Sequence, residues 1–135
     1  MTNGRNKGAA FERQIAQLLY LHLGINFKRD IEQYRAADHG DLICDADFPF
    51  VIECKRYADG PIGGRPEWWK QADKAAKAMN KLTCLIYKYD RKPIRVVITL
   101  DAIVLAIDPQ AAPCDPSHVE MDIETFCYIA RELIA

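Results

Sequence analysis

Apolar residues near the start of the chain recur every three or four positions, which is the spacing of an amphipathic helix. They are Phe11, Ile15, Leu18 and Leu19. The pattern predicts a helix over about residues 6–23, which ends at Gly24.

Three β-rich segments follow this helix, over residues 25–34, 41–46 and 49–57. The first alternates roughly between apolar and polar residues, and an Asp-Phe-Pro turn separates the other two. We therefore expect the second and third segments to form a β-hairpin. The next stretch, residues 58–66, carries three of the seven glycines and two prolines, so it must be a loop.

The second half of the chain predicts two further strands and three helices. They are a helix over residues 67–82, strands over 83–90 and 94–100, a short helix over 101–108 and a final helix over 122–134. We expect Asp101 and Asp122 to cap the last two helices. In the first of the three helices, Ala72, Ala76 and Met79 mark the face that packs on the sheet.

This order of elements predicts an α/β fold with a central mixed β-sheet and helices on both faces. A strand, a helix and a further strand give one parallel crossover, joined to the antiparallel hairpin. With 135 residues the chain has the length of a single domain, whose acidic C-terminal extension covers residues 101–135. No apolar run approaches the roughly 18 residues of a membrane span, and the start of the chain does not have the pattern of a secretory signal.

Charge is distributed unevenly along the chain. Residues 1–95 hold 17 of the 18 Lys and Arg and 12 of the 19 Asp and Glu, a sum of +5, whereas residues 96–135 hold one Arg and seven acids, a sum of −6. The first part could therefore meet a polyanion while the second faces elsewhere. The five cysteines are scattered, with no CxxC pair and no zinc spacing, so we expect reduced thiols in a cytosolic protein.

The segment 49–57 contains a carboxylate and an ammonium where a buried strand would be expected to carry apolar residues. Glu53 and Lys55 lie two residues apart, so their side chains point to the same face. The hairpin turn places Asp41 roughly opposite Glu53, and the three side chains are predicted to converge at one end of the sheet. A plain Glu–Lys pair on a solvent-exposed face, with Asp41 as a turn residue, is the alternative interpretation.

The convergence of Asp41 and Glu53 predicts a metal site. Two carboxylates within about 5 Å of each other repel unless a divalent cation lies between them. Oxygen ligands favour a hard cation such as Mg²⁺, which takes one or two carboxylates together with water and phosphate oxygens. Lys55 would then contact the scissile phosphate, or orient and help to deprotonate the attacking water.

The arrangement of Asp41, Glu53 and Lys55, with an upstream helix that bears a carboxylate, resembles the PD-(D/E)xK nuclease superfamily and its restriction-endonuclease-like core. More narrowly, the stretch RNKGAAFERQIAQLL is similar to the opening helix of archaeal Holliday-junction resolvases and their phage-encoded relatives. The likeness covers roughly residues 4–100. Gly40 stands where the superfamily name has proline, and Cys54 stands where Val or Ile is more usual.

The resemblance implies roles for further residues and for partners. Glu12 would reach the active site as a catalytic residue, either as a second-metal ligand or as a water-positioning group. The backbone carbonyl of Cys54 would help to bind the metal, and Gln71 would be the polar residue on the helix after the lysine. The cofactor would be Mg²⁺, with Mn²⁺ able to substitute. The protein would be a homodimer that nicks a four-way DNA junction symmetrically, in a bacterial or phage-infected cell.

Several side chains around these motifs are candidates for binding DNA phosphates. They are Arg5 and Lys7 on a flexible N-terminus, Arg35 in the loop before Asp41, Arg56 after Lys55, Arg65 in the glycine-rich loop, and Lys70, Gln71 and Lys74 on the following helix. Lys70 and Lys74 continue through Lys77 and Lys81 as one stripe. Such a stripe is more often a solvated helix face.

The sequence therefore predicts a Mg²⁺-dependent, structure-specific DNA endonuclease, with resolution of Holliday junctions as the favoured activity. A restriction-like or general branched-DNA endonuclease on the same fold is one alternative. A non-catalytic DNA-binding module with a degenerate site is the other.

Overall fold

The computed structural model describes residues 4–30, 40–112 and 115–134. Within these ranges the chain forms four helices and six strands. In chain order they are α1 (Gly4–Leu23), β1 (Phe27–Arg29), β2 (Leu42–Cys44), β3 (Phe50–Tyr57), α2 (Pro66–Ala78), β4 (Leu82–Tyr89), β5 (Arg95–Thr99), α3 (Leu100–Ile107), β6 (His118–Met121) and α4 (Ile123–Ile134). None of these described helices combines the length and the apolar character needed to cross a membrane.

The strands form one mixed sheet in which spatial order follows chain order, β1-β2-β3-β4-β5-β6. β3 and β4 are parallel, and α2 lies in the crossover that connects them. The other neighbouring strands are antiparallel, including the hairpin of β2 and β3, in which Leu42 lies opposite Ile52. The predicted α/β fold, with its mixed sheet and one parallel crossover, is confirmed.

Helices cover both faces of the sheet. Side chains along β3 alternate between the two faces, and this alternation decides which helix each of them contacts. Ile52 points into the larger core, which α1 and α4 complete on one face. Val51 points to the opposite face and packs against Ala75 and Ala76, whose small side chains let α2 approach the strands closely. Because strand side chains alternate, Glu53 shares the α2 face with Val51.

The first two elements differ in length from those predicted. α1 begins at Gly4, so positions 5 and 7 lie in its first turns. The prediction that Arg5 and Lys7 belong to a flexible N-terminus is therefore wrong, because the helix incorporates both positions. β1 covers Phe27–Arg29, so the first strand begins two residues later than predicted, and positions 31–34 of the predicted strand lie outside the described ranges.

α2 ends four residues before its predicted end at residue 82. Asn80 adopts a left-handed φ of 54°, and the N–H of Lys81 donates to the carbonyl of Ala76, which closes the helix. Lys81 therefore lies beyond the helix and does not continue its lysine stripe. Met79 is the C-cap residue and is 39% exposed, so its predicted place on the packed face is wrong.

The C-terminal part of the chain contributes a strand that the sequence pattern did not predict. β6 pairs with β5 at the edge of the sheet, with Val97 opposite Glu120. Only the last of its four residues is buried, so the segment lacks a clear apolar alternation. Backbone pairing with β5, which no local pattern encodes, therefore accounts for this strand.

The two predicted helix caps have different outcomes. The hydroxyl of Thr99 caps α3 by accepting a hydrogen bond from the N–H of Ala102 (3.4 Å). The prediction for Asp101 is wrong because this residue already lies inside the helix. The prediction for Asp122 is confirmed, since its carboxylate accepts a hydrogen bond from the N–H of Thr125 (2.7 Å) at the start of α4.

Candidate active site

The hairpin holds Asp41 against β3. The N–H of Asp41 donates to the carbonyl of Ile52 (2.8 Å), and the Oδ2 atom of Asp41 accepts a hydrogen bond from the N–H of Cys54 (2.7 Å). Gly40 makes this approach possible, because a Cβ at position 40 would lie 2.8 Å from the Ile52 carbonyl oxygen. Its φ of 78° is also a conformation that favours glycine. Local geometry therefore explains why glycine precedes the aspartate.

Glu53 is buried next to Asp41, with only 2% of its surface exposed. Burial and the neighbouring Asp41 carboxylate raise the pKa of Glu53 to about 9. Its Oε2 atom is buried and has no hydrogen-bond partner among the described residues. Because an unpaired buried carboxylate oxygen is energetically costly, this atom is a candidate metal ligand.

Lys55 lies two residues further along β3, half-buried, and its ammonium group is held by α2. The Nζ atom of Lys55 donates a hydrogen bond to the Oε1 atom of Gln71 (2.8 Å). Gln71 is in the second turn of α2, which begins directly after the loop that leaves β3. The parallel crossover thus fixes the orientation of the lysine beside the carboxylates.

Glu12 reaches the same region from α1. Its carboxylate accepts a hydrogen bond from the Nε atom of Arg29 on β1 (3.2 Å). Partial burial and the charge of Asp41 raise the pKa of Glu12, although Arg29 opposes this shift. Arg29 has no recognisable motif in the sequence, and its contact with Glu12 depends on the packing of α1 against β1.

Most of these side chains meet at an open cavity of about 500 Å³ between the start of α1 and the end of β3, whereas Glu53 is buried beside Asp41 and does not line it. Its lining includes Glu12, Asp41, Cys54, Lys55 and Gln71, together with Lys7 and Arg56. The structure therefore brings together Glu12, Asp41 and Lys55, which the sequence selected as catalytic candidates, with Gln71, which it selected for DNA binding. Their individual roles stay predictions.

The carboxylates fit a divalent-metal site of the kind that leaves room for substrate. No group of three or more His, Cys, Asp or Glu residues within the described ranges is arranged to hold a metal by itself. Mg²⁺ commonly takes only one or two carboxylates and completes its coordination with water and substrate phosphates. The crowded pair of Asp41 and Glu53, with the unpartnered Oε2 atom, supplies such a donor set, and Cys54 lines the same cavity.

Two candidate phosphate-binding residues share one acidic partner. The Nζ atom of Lys7 lies 2.9 Å from Oδ1 of Asp90, and the Nη2 atom of Arg56 lies 2.7 Å from the same oxygen. Hydrogen bonds from these two cations hold the pKa of Asp90 below its usual range. Sequence reasoning missed Asp90, which follows the end of β4 and gives no local signal of this contact.

The remaining candidates for DNA binding lie further along the chain. Arg65 packs on aromatic rings, with its guanidinium carbon 5.3 Å from the ring centre of Tyr57 and 5.5 Å from that of Trp68. Lys70 and Lys74 are exposed on α2. Arg35 lies outside the described residues, and so does the side chain of Arg5.

Comparison with known proteins identifies the family. The family model described as "Phage putative PDDEXK endonuclease" matches residues 3–134. The chain belongs to this family. It is therefore a nuclease, and the resemblance to the PD-(D/E)xK superfamily is confirmed. The match extends well beyond residue 100, where the recognisable motifs end.

A solved structure supports the same fold. The nuclease is similar to Hjc, a Holliday junction resolvase from the archaeal hyperthermophile Archaeoglobus fulgidus. The two share 15% sequence identity with a TM-score of 0.51, over 93% of this chain and 88% of that chain. At this identity the likeness establishes the fold alone. No curated protein matches the sequence.

Proposed function

We propose that this nuclease is a Mg²⁺-dependent DNA endonuclease that cuts phosphodiester bonds in four-way junctions. The observation that carries the proposal is the buried pair of Asp41 and Glu53 beside Lys55, at an open cavity in a PD-(D/E)xK family member. A structural carboxylate pair would be expected to find internal partners, whereas Glu53 keeps one buried oxygen without any among the described residues.

The metal would be held by the side chains of Asp41 and Glu53 and by the backbone carbonyl of Cys54. Glu12 would bind a second metal or position water from the opposite wall of the cavity. When bound, Mg²⁺ would polarise the scissile phosphate and lower the pKa of bound water. The hydrogen bond from the Cys54 N–H keeps Asp41 in place for this role.

Lys55 would stabilise the negative charge that develops on the phosphate, or would orient the attacking water. Its bond to Gln71 fixes the ammonium group before substrate arrives, and a preorganised charge needs little rearrangement during reaction. Lys7 and Arg56, both at the cavity, would contact neighbouring phosphates.

We also propose that the nuclease acts on four-way junctions as a homodimer. This proposal is supported by the resemblance of the first helix to resolvase helices and by the fold shared with an archaeal resolvase. A homodimer would present two active sites related by a two-fold axis, which matches a four-way junction. We further propose that residues 1–135 act as one nuclease domain, because β6 and α4 complete the sheet and core that carry the site.

Cleavage assays on a labelled four-way junction and a linear duplex of matched sequence test the proposal. The wild type is compared with Lys55→Ala and with Glu132→Gln, an exposed control on α4, in Mg²⁺ and in EDTA. We expect paired nicks in the junction, reduced by on the order of 10³-fold in Lys55→Ala and abolished by EDTA.

Other results of this assay would contradict the proposal in different ways. Equal cleavage of both substrates would favour a general or restriction-like nuclease. Tight binding without cleavage in any metal would favour a DNA-binding module. Undiminished cleavage by Lys55→Ala would remove the assigned site.

A further inference from the structure

The loop over residues 58–65, between β3 and α2, ends in an exposed apolar tip. Ile62 is 94% exposed, the highest value among the large apolar side chains in the described residues. A single exposed isoleucine is ordinary on a protein surface and carries no meaning alone. The loop backbone on either side of Ile62, however, is held against the sheet by hydrogen bonds and close packing.

On the side that precedes Ile62, the loop is seated on Tyr89 of β4. The hydroxyl of Tyr89 donates a hydrogen bond to the carbonyl of Pro61 (2.7 Å). Gly60 packs so closely on the same ring that a Cβ there would lie 2.5 Å from the hydroxyl oxygen. Any larger residue at position 60 would therefore require the loop or the Tyr89 ring to shift.

On the side that follows Ile62, the loop is tied to a polar row of the sheet. The N–H of Gly63 donates to the hydroxyl of Tyr87 (2.9 Å) and to the Oε1 atom of Glu120 (3.1 Å). The Tyr87 hydroxyl in turn donates to Glu120, and the Nε atom of Arg95 lies 3.0 Å from the other oxygen of that carboxylate. Three strands, β4, β5 and β6, thus hold a single loop amide.

This attachment places the loop beside the candidate active site. Tyr87 is the register neighbour of Lys55, one strand away, and paired residues of neighbouring strands point to the same face. Tyr57 and Ala58, which line the catalytic cavity, lead directly into the loop. Since an extended chain spans at most about 3.5 Å per residue, Ile62 lies within about 14 Å of Ala58, or about four nucleotides along one DNA strand.

The chemistry around the tip suits DNA better than a protein partner. Arg65 closes the loop with its guanidinium over Tyr57 and Trp68, and Arg56 lies at the adjoining cavity. The loop also carries one exposed acid, Asp59, so the cations are not its only charges. An apolar side chain with cations close by is the combination by which proteins wedge between base pairs while holding the phosphates. A wedge must be rigid, because unstacking costs a few kcal/mol per base step.

We propose that the loop 58–65 is a preorganised DNA-binding wedge whose Ile62 packs on the bases exposed at a branch point, and that Glu120 is its positioning residue. The inference rests on the proposed function, because the wedge would select the DNA that the active site cuts. In a continuous duplex every base is stacked on both sides, whereas at a branch point the stack is discontinuous, so an apolar side chain can unstack a base there at lower cost. The loop thereby distinguishes branched from linear DNA.

Two matched isoleucine substitutions test this role. Ile62→Ser is compared with Ile107→Ser, which changes another strongly exposed isoleucine at the end of α3 (80%). We expect Ile62→Ser to slow junction cleavage about tenfold, with linear-duplex cleavage within about twofold of wild type. Ile62→Leu should restore junction cleavage, and Ile107→Ser should match wild type on both substrates.

A binding measurement separates this inference from the proposed function. In the Glu53→Gln background, a junction with 2-aminopurine at the branch point should brighten on binding, and Ile62→Ser should lose that signal. Glu120→Ala should weaken the signal because it removes one acceptor of the Gly63 amide and the partner that orients the other, the Tyr87 hydroxyl, while Glu120→Gln, which keeps an acceptor oxygen, should retain most of it.

Each outcome decides the question. Unchanged junction selectivity and an unchanged 2-aminopurine signal in Ile62→Ser would overturn the wedge. Loss of self-association in sedimentation, without a change in that signal, would also overturn it and make the tip a protein contact. If the wild type shows no preference for junctions, the proposed function fails, and the 2-aminopurine signal alone then supports or overturns the wedge.

Discussion

Two glutamates occupy the same row of the sheet and have opposite surroundings. Glu53 pairs in register with Leu85, Leu85 with Val97, and Val97 with Glu120, so the two carboxylates share one face, three strands apart. Glu120 accepts hydrogen bonds from Tyr87, the Gly63 amide and the Arg95 guanidinium.

Glu53, in contrast, lies against a second carboxylate and keeps a buried oxygen without a hydrogen-bond partner among the described residues. A carboxylate whose partners are all internal stabilises the fold, whereas one that is buried and crowded destabilises it. The second arrangement is maintained only where a ligand supplies the missing partner. The comparison therefore distinguishes an acid with internal partners from a candidate functional acid without reference to conservation.

The largest change in stability is expected from Glu120→Ala. This substitution leaves Tyr87, Arg95 and the Gly63 amide without their shared acceptor, so the free energy of unfolding should fall by about 2–3 kcal/mol. Chemical denaturation at pH 7 measures the change. Glu120→Gln is the matched variant and should lose less, because the amide still accepts hydrogen bonds. A loss below about 0.5 kcal/mol in both variants would mean that the carboxylate network contributes little.

In the metal-free protein, Glu53→Gln is expected to raise the free energy of unfolding, whereas Glu120→Ala lowers it. The pKa of Glu53 is raised from 4.5 to about 9, so its contribution to stability is fully present below about pH 4.5 and is lost as the pH rises towards 9. Gln carries no charge and avoids this loss. The variant should therefore exceed wild type by about 1–2 kcal/mol at pH 8 and match it near pH 4.5.

Denaturation in EDTA at the two pH values measures this difference, with Glu132→Gln as the exposed control. Saturating Mg²⁺ should narrow the gap at pH 8, because the ion stabilises only the protein that binds it. A Glu53→Gln variant less stable than wild type at pH 8 without metal would show that the carboxylate has an internal role, as Glu120 has.

How far the sequence could predict the surroundings of the two glutamates depends on how many residues separate the interacting groups along the chain. Asp41 directly precedes β2 and Glu53 lies in β3 of the same hairpin, so the short turn and the two-residue period of strands suffice to bring them together. The family motif then added Glu12. The fold class followed from the same local periodicities, with errors at helix ends where a left-handed residue such as Asn80 decided the boundary.

Glu120 could not be predicted, because its partners come from distant parts of the chain. Tyr87 is 33 residues away and Gly63 is 57 residues away. The edge strand that carries Glu120 is formed by backbone pairing with β5, and its side chains do not alternate clearly. The ion pair of Lys7 with Asp90 has the same origin, since α1 and the end of β4 meet only in the folded protein.

The smallest predicted effect extends the comparison from carboxylates to lysines. Lys77 forms an ion pair with Asp73 (2.7 Å) near the end of α2, whereas Lys70 and Lys74 lie nearer to Gln71, the partner of Lys55. At 1.5 Å of rise per residue, Lys77 is about 9 Å further along the helix than Gln71. We therefore expect phosphate contacts from Lys70 and Lys74 and none from Lys77.

Junction binding by each Lys→Ala variant, measured from 50 to 200 mM salt in the Glu53→Gln background, tests this expectation. Loss of one phosphate contact lowers the slope of log K against log salt by about 0.9, a change of about three- to fourfold in affinity across this range. Lys70→Ala and Lys74→Ala should each show that change, and Lys77→Ala should leave the slope unaltered. Equal changes in all three would mean that the stripe acts as a diffuse positive face, since an exposed ion pair such as Lys77–Asp73 is too weak to withhold its lysine from DNA.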